Sequence, residues 1–290
     1  METAGTFSTP RVRNVRFPMG AAVPRHWHGG GRAVTLFFDN LSLLFPVGER
    51  FFIASVRAHA ASIEQPQLKA EVEAFCAQEG VHSREHSRYN RRLAGYGYPV
   101  AALERRLKAR LARTARVPTR RWALAVTCAL EHFTAVMGHL LLSDARLLRG
   151  AHPEMAALWR WHAIEETEHK AVAFDVYRAA GGRYLERVLA LWVTTVLFWW
   201  QVGAQQIRLM QAEGCLFSPR EWSSLLNFLF IHPGGMGQLW RRWLSYFRPH
   251  FHPSEVDSRE LLETALDELG GFVARPDPAE RALELGTLEP

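Results

Sequence analysis

The sequence predicts an all-α protein, built as a helical bundle with additional helices toward its C-terminal end. Apolar residues recur at helical spacing through long segments, and no convincing series of alternating apolar and polar residues indicates a sheet. Proline and glycine separate these segments, as they do at the ends of helices. The chain has 290 residues, of which 48% are hydrophobic and 22% charged, so a large core is expected and disorder is excluded.

The helices follow from the apolar periodicity and from the residues that interrupt it. Pro46 and Gly48 interrupt the first pattern, and Pro46 suits the first turn of a restarted helix. Pro66, Pro118 and Pro153 each stand at the start of a later pattern. Helices are predicted at 33–44, 47–62, 66–94, 100–115, 118–143, 153–180, 184–212, 238–247 and 258–270.

No linker is long enough to separate two domains, so the sequence predicts one bundle with additions. We expect an irregular N-terminal arm at 1–30 and the bundle itself at 31–215. A helical appendage follows at 216–275, and a loose tail rich in proline and glutamate ends the chain at 276–290.

The charge and cysteine content restrict the partners and the cellular location. Lys and Arg number 35 against 29 Asp and Glu, and the resulting formal charge of +6 favours anionic partners. The basic run at 105–121 is interpreted as a solvated helix face, because no nucleic-acid recognition motif accompanies it, and no nucleic-acid partner is expected. Three cysteines far apart in the sequence, with no secretory signal, favour the cytoplasm.

One segment raises the question of membrane contact. Residues 188–200 read VLALWVTTVLFWW and carry no charge. At about 1.5 Å per residue, these thirteen residues are shorter than a hydrocarbon core of roughly 30 Å. A buried core helix is therefore the main prediction, ahead of contact with a membrane surface and of a membrane span. Residues 239–249 mix Trp, Phe and Arg, as an interfacial helix or a partly buried amphipathic helix does.

Two Glu-x-x-His pairs are the strongest chemical signal in the sequence. Glu79 and His82 form the first pair, and Glu166 and His169 form the second. Positions i and i+3 lie within about 60° of each other on a helix, so each pair places a carboxylate and an imidazole on one face. Either pair alone is a weak signal, because a solvated helix carries one by chance.

A lone glutamate in an apolar helix precedes each pair at a similar distance. Glu49 stands 30 residues before the first pair, and Glu131 stands 35 residues before the second. Four helices can direct these groups into a common core, as in di-iron carboxylate bundles, and four carboxylates offset the charge of two divalent cations. The predicted ligands are Glu49, Glu79, His82, Glu131, Glu166 and His169. The predicted cofactor is a pair of metal ions, with iron favoured and manganese or zinc left open.

Further residues lie on the same helix faces. His86 and His162 are candidates for added ligands, for hydrogen-bond partners of ligands or for proton carriers, and they are the candidate catalytic residues. A structural role for both histidines is an equally good interpretation. Thr134 and Gly138 lie on the face of Glu131, where they leave room for dioxygen or substrate, or allow a close helix crossing.

A competing motif overlaps the first pair. His82-Ser-Arg-Glu85-His86 fits the H-x-x-E-H signature of a class of zinc peptidases, with Glu85 as the base. This interpretation is weaker, because it leaves Glu49, Glu131 and His169 unexplained and loses the second half of the repeated pattern.

Five stretches of the sequence carry a resemblance to a known family. They are PRHWHGG at 24–30, LSLLFPVGERFF at 41–52, QEGVHSREHSRYN at 78–90, ALEHFTAVMGHLLL at 129–142 and LWRWHAIEETEHKAVAFDVY at 158–177. In these stretches the sequence resembles the bacterial proteins known as predicted metal-dependent hydrolases, which have a ferritin-like helical fold. The resemblance covers roughly residues 10–250 and implies a ferritin-like four-helix bundle with the six metal ligands given above. His86 and His162 also lie within the resembling stretches.

Three functions follow from these observations. The first is dioxygen activation at a di-iron centre, which oxidises a small or lipid-like substrate. The second is hydrolysis assisted by two metals, as the family label states, and the third is a non-enzymatic metal-binding bundle. The apolar helix and the ten tryptophans favour a hydrophobic substrate. Peripheral membrane contact and a homodimer are left open, with the cytoplasm as the expected location.

Overall fold

A computed structural model describes residues 9–20, 22–114, 117 and 120–273. These residues form ten α-helices and no strand, which confirms the all-α prediction. The helices are α1 Arg32–Arg57, α2 Pro66–Gly95, α3 Val100–Thr114, α4 Arg120–Ser143, α5 Pro153–His169, α6 Val172–Ala179, α7 Tyr184–Ala212, α8 Pro219–Phe230, α9 Gly235–Ser245 and α10 Arg259–Val273. The predicted loose tail at 276–290 and the predicted helix start at Pro118 lie outside the described residues.

Four helices enclose the interior of the protein. Helix α1 packs along α2, α4 packs along α5, and contacts between α1 and α4 and between α2 and α5 close the arrangement. Helices α3, α7, α9 and α10 pack on its outside. The apolar core falls into two clusters, one containing Trp161 and Tyr89 and the other containing Phe75 and Phe133. The ferritin-like character of this four-helix arrangement stays a prediction.

Helix α1 continues through Pro46, so the predicted division into helices at 33–44 and 47–62 is wrong. Pro46 has no N–H to donate to the carbonyl of Ser42. Asn90 on α2 supplies the missing donor, because its Nδ2 lies 3.2 Å from the Ser42 carbonyl oxygen. Ser83 Oγ also donates to the Pro46 carbonyl at 3.3 Å. The neighbouring helix therefore replaces the hydrogen bond that proline removes.

The predicted helix at 153–180 is divided into α5 and α6 by a short break after His169. Lys170 lies in this break, where its Nζ donates to the Val256 carbonyl at 2.6 Å and to Ser258 Oγ at 2.9 Å. Helix α8 was not predicted, although Ser218 caps it by accepting from the backbone N–H of Glu221 at 3.4 Å.

Helix α7 is not the buried core helix predicted for residues 188–200. Its inner side packs on α1 and α4, whereas its outer side exposes Leu185, Leu189, Trp192, Val196 and Trp200, with Val196 63% exposed. The prediction is wrong because one side of an apolar helix suffices to complete the core, and no described residue covers the other side. Helices α4 and α7 are both long and apolar enough to cross a membrane, but only the apolar stretch of α4 is mostly buried.

Helix α9 is the partly buried amphipathic helix that was one of the two predictions for this segment. Leu239 and Trp243 are buried against the bundle, and Trp240 and Leu244 are exposed.

The role of Asn90 in α1 can be tested by substitution. We expect Asn90→Ala to lower the free energy of unfolding by about 1–3 kcal/mol, because it leaves the buried carbonyl of Ser42 without a donor. In a Pro46→Ala background the helix regains its own N–H donor, so the same substitution should cost less. Urea unfolding of the four proteins measures this difference. Equal losses in both backgrounds would contradict the compensation.

Candidate metal centre

Seven ionisable side chains meet in the interior between α1, α2, α4 and α5, and each is at most 4% exposed. They form two groups in which the ligand atoms all lie within 4.8 Å of one another. The first group is Glu49, His82 and His162, and the second is Glu79, Glu131, Glu166 and His169. The structure thus brings all six predicted ligands together and adds His162 to them, while their role as metal ligands stays a prediction.

Each helix of the four-helix arrangement contributes to the site. Glu49 comes from α1 and Glu131 from α4, each one from an otherwise apolar stretch. Helix α5 contributes His162, Glu166 and His169, whose spacing of i, i+4 and i+7 places them on one helix face. The Glu-x-x-His pair of α2 faces them across the interior.

Glu166 lies between the two groups. Its Oε1 is 3.1 Å from His162 Nε2 and 3.5 Å from His82 Nδ1, both in the first group. Its Oε2 is 3.5 Å from His169 Nε2, which in turn lies 3.2 Å from Glu79 Oε1. One carboxylate therefore presents an oxygen toward each group, as a ligand shared by two cations would.

Most of the atoms that face the centre have no hydrogen bond within the described part of the chain. They are both carboxylate oxygens of Glu49, Glu79 and Glu131, Oε2 of Glu166, Nδ1 of His82, and Nε2 of His162 and His169. A buried polar atom without a partner is costly, and a buried carboxylate more so. Carboxylate oxygens with imidazole nitrogens are the donor set of divalent iron, manganese and zinc. The residues present therefore fit a pair of such cations.

The remaining nitrogen of each imidazole is occupied on its outer side. His169 Nδ1 lies 3.0 Å from Gln78 Oε1, and His82 Nε2 lies 3.0 Å from Glu165 Oε2. Glu165 is also within 3.4 Å of the Arg13 guanidinium, which comes from the N-terminal segment. Such outer partners fix the orientation of ligating imidazoles. Sequence reasoning missed Gln78 and Glu165, because each only adjoins a predicted ligand and helical spacing does not mark it.

A chain of hydrogen bonds sets the protonation of His162. Asn90 Nδ2 donates to a carbonyl, so its Oδ1 accepts from Ser42 Oγ at 2.9 Å, and Ser42 Oγ in turn accepts from His86 Nδ1 at 2.9 Å. Burial, followed by the neighbouring His162 and His82, holds the pKa of His86 well below its ordinary value, so this ring is neutral. His86 Nε2 then accepts from His162 Nδ1 at 3.0 Å. The lone pair of His162 Nε2 is therefore left facing the centre.

His86 belongs to neither group of ligand atoms. Its position is that of a hydrogen-bond partner of His162, which is one of the roles considered for it from the sequence. The catalytic role considered for His86 and His162 stays a prediction.

Burial and like charge shift the pKa values of the site. Burial, followed by the charge of Glu166, raises the pKa of Glu131 to about 8. Burial also raises the pKa of Glu49 and of Glu79. Burial disfavours ionisation of Glu166 as well, but the surrounding imidazoles, His169 foremost, hold its pKa well below the ordinary value. Without cations, the centre thus keeps protons on several carboxylates.

The H-x-x-E-H interpretation is wrong. Glu85 does not face the histidines as a base, because its carboxylate accepts from Arg84 Nε at 2.8 Å, Arg88 at 2.7 Å and the Phe17 backbone N–H at 3.2 Å. His82 and His86 also lie outside any common group of ligand atoms among the described residues.

A mainly apolar cavity of about 90 Å³ reaches the site, with His162 and Glu166 in its wall. Thr134 and Gly138 also line it, and their role of leaving room beside metal ions stays a prediction. Gly138 serves the close helix crossing too, because a Cβ at this position would meet the Ala163 carbonyl oxygen at 3.1 Å. Gly138 thus both lines the cavity and allows the close crossing of α4 and α5.

A second apolar cavity, of about 110 Å³, lies between α1, α3, α4 and α7. It shares Phe45 and Thr134 with the first cavity and borders Gly48, the residue before Glu49.

The raised pKa of Glu131 predicts a pH dependence of the metal-free protein. The folded state keeps this proton up to about pH 8, whereas an exposed glutamate loses it near the ordinary value of 4.5. The contribution of Glu131 to stability therefore falls as pH rises from 4.5 to 8. We expect Glu131→Gln to stabilise the metal-free protein at pH 8 by about 1 kcal/mol or more in urea unfolding. If Glu131→Gln is less stable than the wild type at pH 8, burial does not destabilise the ionised form of Glu131 as expected.

Metal binding can be followed through the same variant. Divalent manganese, iron or zinc added to the metal-free wild type should raise its Tm by about 5 °C or more. Glu131→Gln should lose most of that rise, because a neutral amide replaces a charged ligand. Glu73→Gln on the exposed side of α2 is the control and should respond like the wild type. An equal rise in Glu131→Gln would exclude Glu131 as a ligand.

The hydrogen-bond chain to His162 gives a further prediction. His86→Leu removes the acceptor of the His162 Nδ1 proton and should weaken binding of one of the two metal ions by about 10–100-fold. His86→Gln keeps an acceptor oxygen and should restore much of the affinity. Competition with a chromophoric chelator measures both constants. Equal weakening in the two variants would indicate that His86 acts through packing alone.

The chain was compared with known proteins. A family model described as predicted metal-dependent hydrolase matches residues 11–257. No curated protein and no solved structure matches the chain significantly. The matched range contains every residue of the two ligand groups. The chain therefore belongs to the family of predicted metal-dependent hydrolases.

Proposed function

We propose that the protein is a hydrolase that uses two divalent metal ions to cleave an ester of a hydrophobic acyl group. The observation that carries this proposal is the contact between the ligand centre and the first cavity. His162 and Glu166 belong to both, and the other residues of the cavity wall are mainly apolar. Binding sites for small molecules combine such apolar walls with a few polar groups at one end. The family description supports hydrolysis as the reaction.

The residues that would hold the two ions follow from the two groups. Glu49, His82 and His162 would hold one ion, while Glu79, Glu131 and His169 would hold the other, with Glu166 shared between them. When bound, a pair of divalent cations supplies Lewis acidity and lowers the pKa of the attacking water.

The protein's own residues have the tasks of orientation and water exclusion. The aromatic rings of Phe45 and Trp159 and the side chain of Met137 line the first cavity, where they can hold an acyl chain and keep bulk water away. Glu166 stands at the polar end of this cavity, so a bond held there lies beside the ligand centre. His86 keeps the proton on the outer nitrogen of His162, which leaves the inner nitrogen available as a ligand.

Dioxygen activation at a di-iron centre is the second candidate. The observation in its favour is the donor set, in which four carboxylates and the imidazoles of His82 and His169 have the arrangement of di-iron carboxylate bundles, with His162 in addition. Iron bound to such a set supplies redox chemistry with dioxygen. The apolar first cavity suits a small or lipid-like substrate for this reaction too.

Turnover of nitrophenyl esters of increasing acyl length tests the proposal. Protein loaded with zinc, manganese or ferrous iron should hydrolyse them at equal rates in air and under nitrogen. Glu79→Gln should lower kcat/KM by about 100-fold or more, and the matched control Glu73→Gln, on the exposed side of the same helix, should leave it unchanged.

Two results would overturn hydrolysis. One is the absence of ester turnover with each of the three metals bound at two ions per chain. The other is oxygen consumption by the ferrous protein with turnover that stops under nitrogen, which would support the second candidate instead.

A further inference from the structure

The outer side of α7 and α9 carries a continuous apolar surface, which we call the apolar face. It consists of Leu185, Leu189, Trp192, Val196 and Trp200 on α7 and Trp240 on α9, each at least half exposed. Steps of three and four residues place the α7 side chains in one stripe along the helix. The stripe continues to Ile207 over about 33 Å of helix. An exposed apolar surface of this extent marks an interaction site.

The two helices are joined across this face by aromatic contacts. The rings of Trp192 and Trp243 lie 5.1 Å apart, and Trp243 stacks on Trp240 at 4.5 Å. Tyr184 at the start of α7 also donates from its hydroxyl to the Phe247 carbonyl at 2.7 Å. The apolar face is therefore a fixed surface of two packed helices.

Arg110 borders the apolar face, and further exposed arginines lie on α3 and α9. Arg110 of α3 lies with its guanidinium carbon 4.5 Å from the centre of the Trp200 ring, and it donates to Gln201 at 2.6 Å. Arg106 and Arg113 lie on the same side of α3 and are exposed. Arg241, also exposed, is on α9. Residues 187–212 and α9 contain no aspartate or glutamate, Glu186 follows Leu185 on α7, and Glu104 is on α3, so arginines outnumber acidic residues at this border.

The second cavity lies directly beside this face. Val193 and Leu197 are exposed residues of α7 that also line the cavity wall. From there the cavity extends to Gly48 and Phe52 of α1, on either side of Glu49 in the sequence. An apolar space thus leads inward from beside the apolar face. The acyl chains of a lipid layer at this face could enter that space.

We propose that the apolar face docks on the surface of an anionic lipid bilayer. Tryptophans and aliphatic side chains enter the interfacial region, and the arginines of α3 and α9 contact the negative headgroups. A second copy of this chain is a poorer occupant, because a two-fold interface places the same patch against itself. The basic borders of the two copies would then face each other across an apolar contact.

Vesicle flotation tests the proposal directly. The full-length protein should bind vesicles of phosphatidylglycerol and phosphatidylcholine at low salt, and should bind much less to pure phosphatidylcholine or in 0.5 M salt. Leu189→Glu/Val196→Glu should lower the partition coefficient by about 10-fold or more, because two charges enter the centre of the apolar face.

A matched control separates this effect from net charge alone. Ala70→Glu/Ala77→Glu adds the same two charges at the same spacing on the exposed side of α2, and should bind vesicles within about 3-fold of the wild type. Arg106→Glu/Arg113→Glu tests the basic border and should abolish the preference for the anionic vesicles. The metal-dependent Tm rise confirms in each variant that the bundle is intact.

Three outcomes would overturn the proposal. The first is equal binding to anionic and uncharged vesicles. The second is equal loss of binding in the two paired-glutamate variants. The third is a wild-type dimer in light scattering that Leu189→Glu/Val196→Glu converts to a monomer without any change in vesicle binding, which would assign the face to a second copy.

Discussion

The burial of seven ionisable side chains in one interior is the constraint on which the rest of the structure depends. Four carboxylates would repel one another in a space from which water is excluded, and the neutral imidazole of His162 offsets none of their charge. The outward-facing nitrogens of His82, His162 and His169 already have partners, so the unpartnered atoms all point inward. A pair of divalent cations at this place would offset the charge and supply the missing contacts. The four helices are therefore organised around one buried group of ionisable side chains.

The same constraint connects the backbone of α1 with the chemistry of the centre. Pro46 leaves the carbonyl of Ser42 without its helical donor, and Asn90 Nδ2 donates to this carbonyl instead. The amide orientation of Asn90 then sets the direction of the hydrogen bonds that run through Ser42 and His86 to His162. A proline inside a helix is usually a cost. Here the neighbouring helix α2 offsets that cost with Asn90, which also begins the hydrogen-bond chain to His162, so the backbone of α1 and the buried centre share one network.

Two apolar cavities lie next to the buried centre and the helix that carries Glu49. The first cavity brings apolar walls to His162 and Glu166, and the second runs from Gly48 to the exposed side of α7. Arg110 of α3 lies in the wall of the second cavity, and His162 and Glu166 of the buried centre lie in the wall of the first. Apolar space thus adjoins both the buried centre and the side of the bundle that carries α3 and α7.

The sequence alone determined the helical class and the pairing of Glu79 with His82 and of Glu166 with His169, because helical spacing sets these pairs whatever the tertiary contacts are. It did not determine the course of α1 through Pro46, since the compensating donor, Asn90, lies 44 residues away. Nor did it place Glu165 behind His82, because that partner comes from another helix. The exposure of α7 was likewise decided by tertiary structure: periodicity marks which residues are apolar, and only packing decides which apolar side is covered.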